Sequence, residues 1–355
     1  MATVVIAPDS FKGSLSAGDA AQALARGWRL VRPHDSVFPL PMADGGEGTL
    51  DAIHSVRPDS TVHFVEVTGP EGTPVQATWL ELSDSTAVIE MAQSSGLPLM
   101  SQLDPIGATS RGLGELIAAT IDQGVDRVLV GLGGSATTDA GIGALEALGA
   151  QVVREAEGAP GVVSIDPRGL PTPPREGITV LADTRATFTQ APEIFAPQKG
   201  ATTAQVAELQ AAFERLGADS PSSSAARMPG SGAAGGTGWA LAAYLGAVIV
   251  EGSRYLGNML GVGRLLDGAD YVITGEGRFD ETSVSGKAVG HIHQLAGAYG
   301  VAGAIVCGDS DTEEFNQWPV IRLVDRAASV EDASRHAPKY LEAVGAELAQ
   351  TAVNR

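Results

Sequence analysis

The residues best suited to chemistry lie in residues 271–287, where charged side chains follow an apolar run. The run Tyr-Val-Ile at 271–273 predicts a buried strand that stops at Gly275, followed by a glycine-hinged loop. The loop carries charges of both signs: Glu276, Arg278, Asp280 and Lys287. Such a loop at the carboxyl edge of a sheet favours metal-assisted phosphoryl transfer, because acids can hold a cation and bases a phosphate. A solvated loop with salt bridges would have the same composition.

A second loop, Asp-Ser-Phe-Lys-Gly-Ser at residues 9–14, follows the predicted first strand. Lys12 can pair with a phosphate as a point charge, and Asp9 can orient it or hold a cation. A helix-capping turn through Ser14 or Ser16 explains the same residues equally well.

The third loop, Met-Ala-Asp-Gly-Gly-Glu-Gly-Thr at residues 42–49, places Asp44 and Glu47 among three glycines. Glycine permits positive φ and close backbone approach, and the two acids suit a magnesium or hydroxyl-binding site. A tight turn before an acidic helix N-terminus needs fewer glycines, so the sequence favours a functional loop.

The fourth loop, residues 130–141, runs from a strand through glycines and hydroxyls into an Ala- and Leu-rich helix. Its backbone N–H groups and the helix N-terminus can form an anion-binding nest. Ser135, Thr137 and Thr138 add donors, and Asp139 can reach a metal. Capping needs one such side chain, so the whole cluster favours phosphate or nucleotide binding.

Two other glycine-containing patterns carry less weight. Gly-Ser-Gly-Ala-Ala-Gly at 230–235 matches GxGxxG, but no strand is predicted before it, so a loop closing over a ligand is the better interpretation. Ser-Gly-Lys at 285–287 superficially resembles a P-loop, yet Glu281 stands where the first glycine belongs and Ala288 replaces the hydroxyl residue.

Composition excludes several function classes. A chain of 355 residues, 44% hydrophobic and 18% charged, suits two ordinary domains with sizeable cores. A net charge of −19 argues against nucleic-acid and anionic-membrane partners. Cys307 is the one cysteine, which fits a reducing cytosol. The sequence shows neither a signal peptide nor an apolar run of about 18 residues, so we expect a cytoplasmic protein.

Strand and helix patterns alternate along the chain, which predicts an α/β fold with a largely parallel sheet. Helices are expected at about residues 16–30 and from 48 onward, and strands at 4–7, 36–40, 128–132, 271–273, 304–307 and 320–324. Residues 62–82 instead alternate like an antiparallel hairpin around a turn at 68–73.

The order of these patterns predicts an outer domain interrupted by an inserted one. Strands and helices resume directly after the polar stretches 166–177 and 219–236, so neither is an interdomain linker. We assign residues 1–61 plus 265–355 to the outer domain and 62–264 to the inserted α/β domain, with the active site in the cleft between them.

Together the loops resemble the type-1 glycerate kinase family over essentially the whole chain. The resemblance rests on long strings at 6–16, 43–49, 109–115, 131–139, 196–201, 229–236 and 274–280, such as Thr-Ser-Arg-Gly-Leu-Gly-Glu at 109–115 and Ala-Pro-Gln-Lys-Gly-Ala at 196–201. It implies ATP-dependent phosphorylation of glycerate, usually at the 2-hydroxyl. It also implies a flavodoxin-like doubly wound parallel-sheet domain interrupted by a second α/β domain.

The chain departs from the family pattern in three places. After Asp183 the family usually continues towards Asn-Pro-Leu, whereas this chain reads Thr-Arg-Ala-Thr-Phe-Thr-Gln and is shorter. Thr237 replaces a usual Met, and the residues after Lys287 match only loosely. The first departure bears on the ligand contacts around Asp183.

The resemblance and the loop chemistry suggest four groups of site residues. The expected catalytic residues are Lys12, Asp183, Arg278 and Lys287. Those expected to bind substrate are Asp9, Ser10, Asp44, Glu47, Arg111 and Glu276. Those expected to bind nucleotide or phosphate are Gly133, Gly134, Ser135, Thr137, Thr138, Lys199, Gly232 and Gly235. Magnesium is assigned to Asp139 and Asp280, with ATP as the phosphate donor.

Two other functions stay open at this point. One is an NAD-dependent hydroxy-acid oxidoreductase that uses the glycines at 230–235, and the other is a non-catalytic glycerate or sugar-phosphate sensor. For a kinase, we expect conversion of D-glycerate to 2-phosphoglycerate, and 3-phosphoglycerate is the alternative product. The sequence does not decide which carboxylate is the general base. It also does not decide the oligomeric state, for which a homodimer is one alternative.

Overall fold

The computed structural model describes residues 1–156, 158–219, 223–284 and 287–351. Its strands, in chain order, are β1 (Thr3–Ile6), β2 (Ser36–Pro39), β3 (Thr61–Thr68), β4 (Pro74–Glu81), β5 (Thr86–Glu90), β6 (Arg127–Gly131), β7 (Gln151–Arg154), β8 (Val162–Asp166), β9 (Ile178–Leu181), β10 (Val248–Val250), β11 (Tyr271–Phe279), β12 (Ala302–Ser310), β13 (Glu314–Phe315) and β14 (Trp318–Arg322).

Helices lie between most of these strands, as the alternating pattern predicts. In chain order they are α1 (Ala17–Val31), α2 (Thr49–Val56), α3 (Ala92–Ser95), α4 (Arg111–Gln123), α5 (Ile142–Ala147), α6 (Ala191–Phe195), α7 (Thr203–Asp219), α8 (Ala233–Leu245), α9 (Gly252–Met259), α10 (Val262–Leu266), α11 (Glu281–Val284), α12 (Ala288–Tyr299), α13 (Val330–Arg335) and α14 (Ala337–Thr351). None of the described helices has the length and apolarity needed to cross a bilayer.

The chain divides into two compact units. The first comprises Met1–Asp44, Asp51–Pro58 and Ser253–Arg355, and the second comprises Gly45–Leu50 and Asp59–Gly252. Residues 253–264, assigned from sequence to the inserted domain, fall in the first unit, where Val262 of α10 packs into the core. Residues 45–50 fall in the second unit, where the Gly45 backbone lies against Leu181 at the end of β9.

The first unit is built on one twisted layer of strands in the order β13-β14-β12-β11-β1-β2. Every neighbouring pair is parallel except β13 with β14. Side chains alternate between faces: Val4 and Ile6 pack in one cluster with residues of α1 and α14, and Val5 packs in another with residues of α10 and α12. Helices therefore cover both faces, and the loops at the carboxyl edge are left to form a site.

The prediction that a loop begins at Gly275 was wrong, because β11 continues to Phe279. It pairs in parallel with β12 as far as Phe279 opposite Ser310. Gly275 suits this close pairing, since a Cβ at that position would lie 1.9 Å from the carbonyl oxygen of Val306. Glu276 and Arg278 therefore project from a strand whose register is fixed, rather than from a hinged loop.

The second unit contains a mixed sheet in the order β10-β9-β6-β5-β4-β3 and a separate β7–β8 ribbon. The predicted hairpin is confirmed: β3 and β4 are antiparallel, and the N–H of Gly69 donates to the carbonyl of Thr73 in the turn. The strands β5, β6, β9 and β10 are parallel. Their carboxyl edge leads into the segment at residues 91–96, which contains α3, and into the loops at residues 132–141 and 182–187.

Candidate functional site

A cavity of about 400 Å³ is formed by residues of the first unit. Eight of the residues predicted to form the site line it: Asp9, Ser10, Lys12, Asp44, Glu276, Arg278, Asp280 and Lys287. The sheet explains why they meet. β1 and β11 are adjacent and parallel, with β2 on one side and β12 on the other, so the segment that follows β1 and the last residues of β11 lie at one edge. Ligands of open parallel sheets bind where the strand order reverses in this way.

The loop after β1 is held by backbone hydrogen bonds. The N–H of Asp9 donates to the carbonyl of Gly275 at 2.8 Å, and Phe11 forms an isolated bridge with Leu15. The hydroxyl of Ser14 donates to the carbonyl of Ser334 at 2.6 Å. Lys12 is exposed at the tip of this anchored turn, so its ammonium group is presented to the cavity from a fixed backbone.

Two acids in the cavity hold protons more tightly than usual. Burial raises the pKa of Asp9 to about 8, with a further contribution from the charge of Asp44. Burial also raises the pKa of Glu276 to about 7, and Oε1 of Glu276 has no hydrogen-bond partner among the described residues. A buried carboxylate oxygen without a donor, on a group that titrates near neutral pH, is suited to accept a proton from a bound hydroxyl.

Arg278 supplies a cation at the open side of the cavity. Its guanidinium lies 3.4 Å from Asp309 and 3.2 Å from Asp311, and the pairs are solvent-exposed. Exposed pairs of this kind contribute under about 1 kcal/mol, so an anionic ligand can displace them. Sequence reasoning missed Asp309, although its place just beyond the predicted strand at 304–307 is the kind of signal used for the other loops.

In the second unit, the loop at residues 131–141 is braced by a buried lysine. Nζ of Lys199, a residue with 2% of its surface exposed, donates to Oγ of Ser135 at 3.0 Å and to the carbonyl of Thr137 at 2.5 Å. Burial lowers the pKa of Lys199 to about 7, against the opposing charge of Asp139. Lys199 is therefore a buried structural support for this loop, and its hydrogen bonds hold the side chain of Ser135 and the backbone of Thr137 in place.

Asp139 ties this loop to the start of two helices. Its Oδ2 accepts from the N–H of Ser110 at 2.9 Å, the hydroxyl of Ser110 at 2.7 Å and the N–H of Gly143 at 3.1 Å. Its Oδ1 accepts from the N–H of Gly141 at 3.0 Å. These bonds occupy much of the carboxylate, and its assignment to magnesium stays a prediction. Arg111 starts α4 next to Ser110 and forms an ion pair with Glu115 at 3.1 Å.

Gly235, the last glycine of the 230–235 motif, packs against the same loop, whereas Gly232 lies against Thr187. Gly235 has a φ of +59°, and a Cβ on it would lie 2.1 Å from the carbonyl oxygen of Thr137. The N–H of Ala140 donates to the carbonyl of Gly235 at 3.0 Å. In residues 223–229, just before the motif, the structure has turns and a 3-10 segment and no strand, so the context of a dinucleotide fingerprint is lacking.

The sequence profile of the glycerate kinase family matches residues 4–353. The chain belongs to the glycerate kinase family. The predicted family and the predicted enzyme class, a kinase, are thereby confirmed, and membership implies ATP as the phosphate donor.

Individual relatives match along nearly their whole length. A glycerate kinase of Bacillus subtilis (strain 168) is 37% identical, with 98% of this chain and 96% of the relative covered. The glycerate 2-kinase of Escherichia coli (strain K12) is also 37% identical, with 94% and 93% covered. The crystal structure of a putative glycerate kinase 2 from Salmonella typhimurium LT2 superposes with a TM-score of 0.80 at 34% identity, covering 98% and 97% of the two chains.

Some predicted residues of this kinase belong to the second unit and are not among those that line the first-unit cavity. Oδ1 of Asp183, which follows β9 in the second unit, accepts from the N–H of Gly252 at 2.6 Å, at the start of α9. Glu47 is exposed in the second unit, close to Gly134. Ser285 and Gly286, part of the P-loop-like string, lie outside the described residues, as do residues 220–222 of the predicted polar loop.

Proposed function

We propose that the protein transfers the γ-phosphoryl group of ATP to a hydroxyl of D-glycerate, with magnesium, giving 2-phosphoglycerate. The observation that carries the proposal is the first-unit cavity, where three cationic residues, Lys12, Arg278 and Lys287, converge with the titrating acids Asp9 and Glu276. Phosphoryl transfer needs this combination, because it depends on positioning two anionic reactants and stabilising charge. The 37% identity to a named glycerate 2-kinase supports the 2-position over 3-phosphoglycerate.

In this proposal the three cationic residues bind the phosphates of ATP and the carboxylate of glycerate. Lys12 is presented by an anchored turn, and Arg278 by a strand of fixed register, so little order has to be gained on binding. Ser10 and Asp9 lie in the same turn, where they can contact the substrate hydroxyls.

Glu276 is the proposed acceptor of the hydroxyl proton. Its Oε1 is buried without a hydrogen-bond partner in the described part of the chain, whereas Oδ1 of Asp9 already accepts from the N–H of Ser10 at 2.6 Å. The acceptor must be ionised to act, and the raised pKa of Glu276, about 7, keeps it a useful base near neutral pH.

The residues present can accommodate Mg²⁺ in the manner usual for nucleotide enzymes. Within the described ranges, no group of three or more His, Cys, Asp or Glu side chains is arranged as a metal cage. Mg²⁺ is commonly held by one or two carboxylates together with substrate phosphates and water. Asp44 and Asp280 line the cavity and would hold it there, and the ion would neutralise phosphate charge.

The second-unit loop is proposed to bind an anionic group, a phosphate or a carboxylate. The hydroxyl oxygens of Thr137 and Thr138 are buried without a partner in the described part of the chain. Buried polar atoms are nearly always paired in a native structure, so these two suggest a ligand or ordered water. Gly133, Gly134 and the braced Ser135 complete this loop.

The finer fold assignment is also a proposal. Numbered within the first unit, the parallel strands β1, β2, β11, β12 and β14 have the order 2-1-3-4-5, which is that of flavodoxin-like sheets. The predicted cytoplasmic location and the homodimer rest on the sequence alone.

The deciding experiment measures ADP release from MgATP with D-glycerate, L-glycerate or no acid, followed by phosphorus NMR of the product. The proposal expects release that depends on D-glycerate and a secondary phosphate ester. A primary ester would support the kinase activity but assign the phosphoryl transfer to the 3-hydroxyl. Glycerate binding without ADP release from folded protein would instead support the sensor, and loss of nicotinamide absorbance on turnover would support the oxidoreductase.

A further inference from the structure

We propose that the apolar wall of the first-unit cavity binds the purine ring of the nucleotide. This inference rests on the proposed function, and it assigns the nucleoside to a surface that no sequence motif indicated. The residues that form the wall come from the segment after β14 and from α13 and α14: Leu323, Val324, Val330, Ala333 and Ala337.

The size and chemistry of the cavity exceed what glycerate needs. Glycerate is a three-carbon acid with polar groups on every carbon, whereas a cavity of about 400 Å³ falls in the range that holds much larger ligands. Val330 leaves 69% of its surface exposed although it lines this cavity. Covering such a side chain with the flat face of an aromatic ring is favourable, and glycerate has no ring to offer.

The wall and the cationic residues belong to one site. The hydroxyl of Ser14 donates to the carbonyl of Ser334 at 2.6 Å, which fastens the turn that carries Lys12 to α13. Ala333 and Ala337 bring only methyl groups to the cavity, so their side chains leave room for a planar ring. A nucleotide can therefore place its base on the wall and its phosphates towards Lys12, Arg278 and Lys287.

The test is Val330→Asp, with Val153→Asp as its matched control. Val330 is the first residue of α13, where an added acid is favoured by the helix dipole, so the variant should fold. Val153 is similarly exposed, at 57%, on β7 of the second unit. Calorimetry with adenosine reads the base site directly and needs no turnover. Steady-state kinetics then give KM for MgATP and for glycerate separately.

We expect Val330→Asp to weaken adenosine binding and raise KM for MgATP by about tenfold or more, because a carboxylate replaces apolar contact. KM for glycerate should change by less than about twofold, and Val153→Asp should match wild type. Equal adenosine affinity in wild type and Val330→Asp, or no adenosine binding to wild type, would overturn the inference. A raised KM for glycerate with an unchanged KM for MgATP would also overturn the inference, because it would place glycerate, rather than the purine, on the wall. The protein could also fail to release ADP with glycerate while adenosine binds to wild type and not to Val330→Asp. That result would refute the kinase proposal and support the purine site.

Discussion

Replacing Gly235 by alanine tests whether the loop at 131–141 must keep its backbone position for activity. Gly235 has a φ of +59°, and its added Cβ would lie 2.1 Å from the carbonyl oxygen of Thr137. Gly246, at the end of the same helix, has a φ of +67°, and an added Cβ there would meet nothing within 4 Å. The two substitutions share the left-handed backbone and differ in the clash.

The difference between the two variants follows from these distances. Left-handed backbone costs an alanine about 1–2 kcal/mol at either site. Relieving the clash at Gly235 adds about 1–3 kcal/mol, as for other overpacked sites. Ordinary contact begins near 3.4 Å, so Thr137 must retreat by about 1.3 Å, and its carbonyl carries the hydrogen bond from Lys199. A displacement of about 1 Å in a positioning element can cost roughly 100-fold in rate.

Urea unfolding and steady-state kinetics measure the two effects. Gly246→Ala should lose about 1–2 kcal/mol and keep kcat/KM. Gly235→Ala should lose about 2–5 kcal/mol and lower kcat/KM by about 10- to 100-fold. Equal stability losses in the two variants would refute the steric reasoning. A Gly235→Ala enzyme that is destabilised yet fully active would refute the role of the loop in positioning a reactant.

Three further substitutions test individual side chains. Lys287→Ala should lower kcat sharply with folding intact. The control is Lys339→Ala, which removes an exposed lysine elsewhere in the first unit and should leave kcat unchanged. Equal kcat in the two variants would show that Lys287 is not part of the site. For Glu276→Gln, wild-type kcat/KM should rise through pH about 7 as the carboxyl ionises, and the variant should lose both activity and this rise. An unchanged pH profile would assign the proton to another group. Folding lowers the pKa of Lys199 to about 7, so the stability of the wild-type protein should increase between about pH 7 and the unfolded pKa of 10.5. Lys199→Met removes the titrating group. The variant should lack that slope in thermal midpoints, and parallel curves would contradict the burial argument.

The local patterns of the chain predict most of its elements. The apolar runs before the loops at 9–14 and 130–141 became β1 and β6, and Ser16 caps α1 by accepting from the N–H of Asp19. Strand alternation and capping chemistry act over a few residues, so the sequence displays them directly. Because parallel strands share a carboxyl edge, the meeting of the Lys12 turn with Glu276 could also be expected.

Features set by distant pairing could not be predicted. The glycines at 275 and 277 break the apolar pattern, and only β12 pairing through Ser310 shows that the strand continues past them. The apolar wall around Val330 joins the cavity because of sheet order and the Ser14 contact with Ser334, over a separation of more than 300 residues. The burial of Lys199 is likewise a long-range feature, because its Nζ reaches Ser135 and Thr137, more than 60 residues earlier in the chain.

The pairing of β1 has a consequence for how the chain acquires its structure during synthesis. β1 is bordered by β2, which follows it directly, and by β11, which lies near residue 271. A ribosome adding about 5–20 residues per second needs roughly 15–50 s to reach that strand. Through that interval the amino-terminal strand has one open side, whereas the second unit, which ends at Gly252, is complete before β11 is synthesised. The nascent first unit therefore depends on late translation, and chaperones that shield open strand edges should engage it more than they engage the second unit.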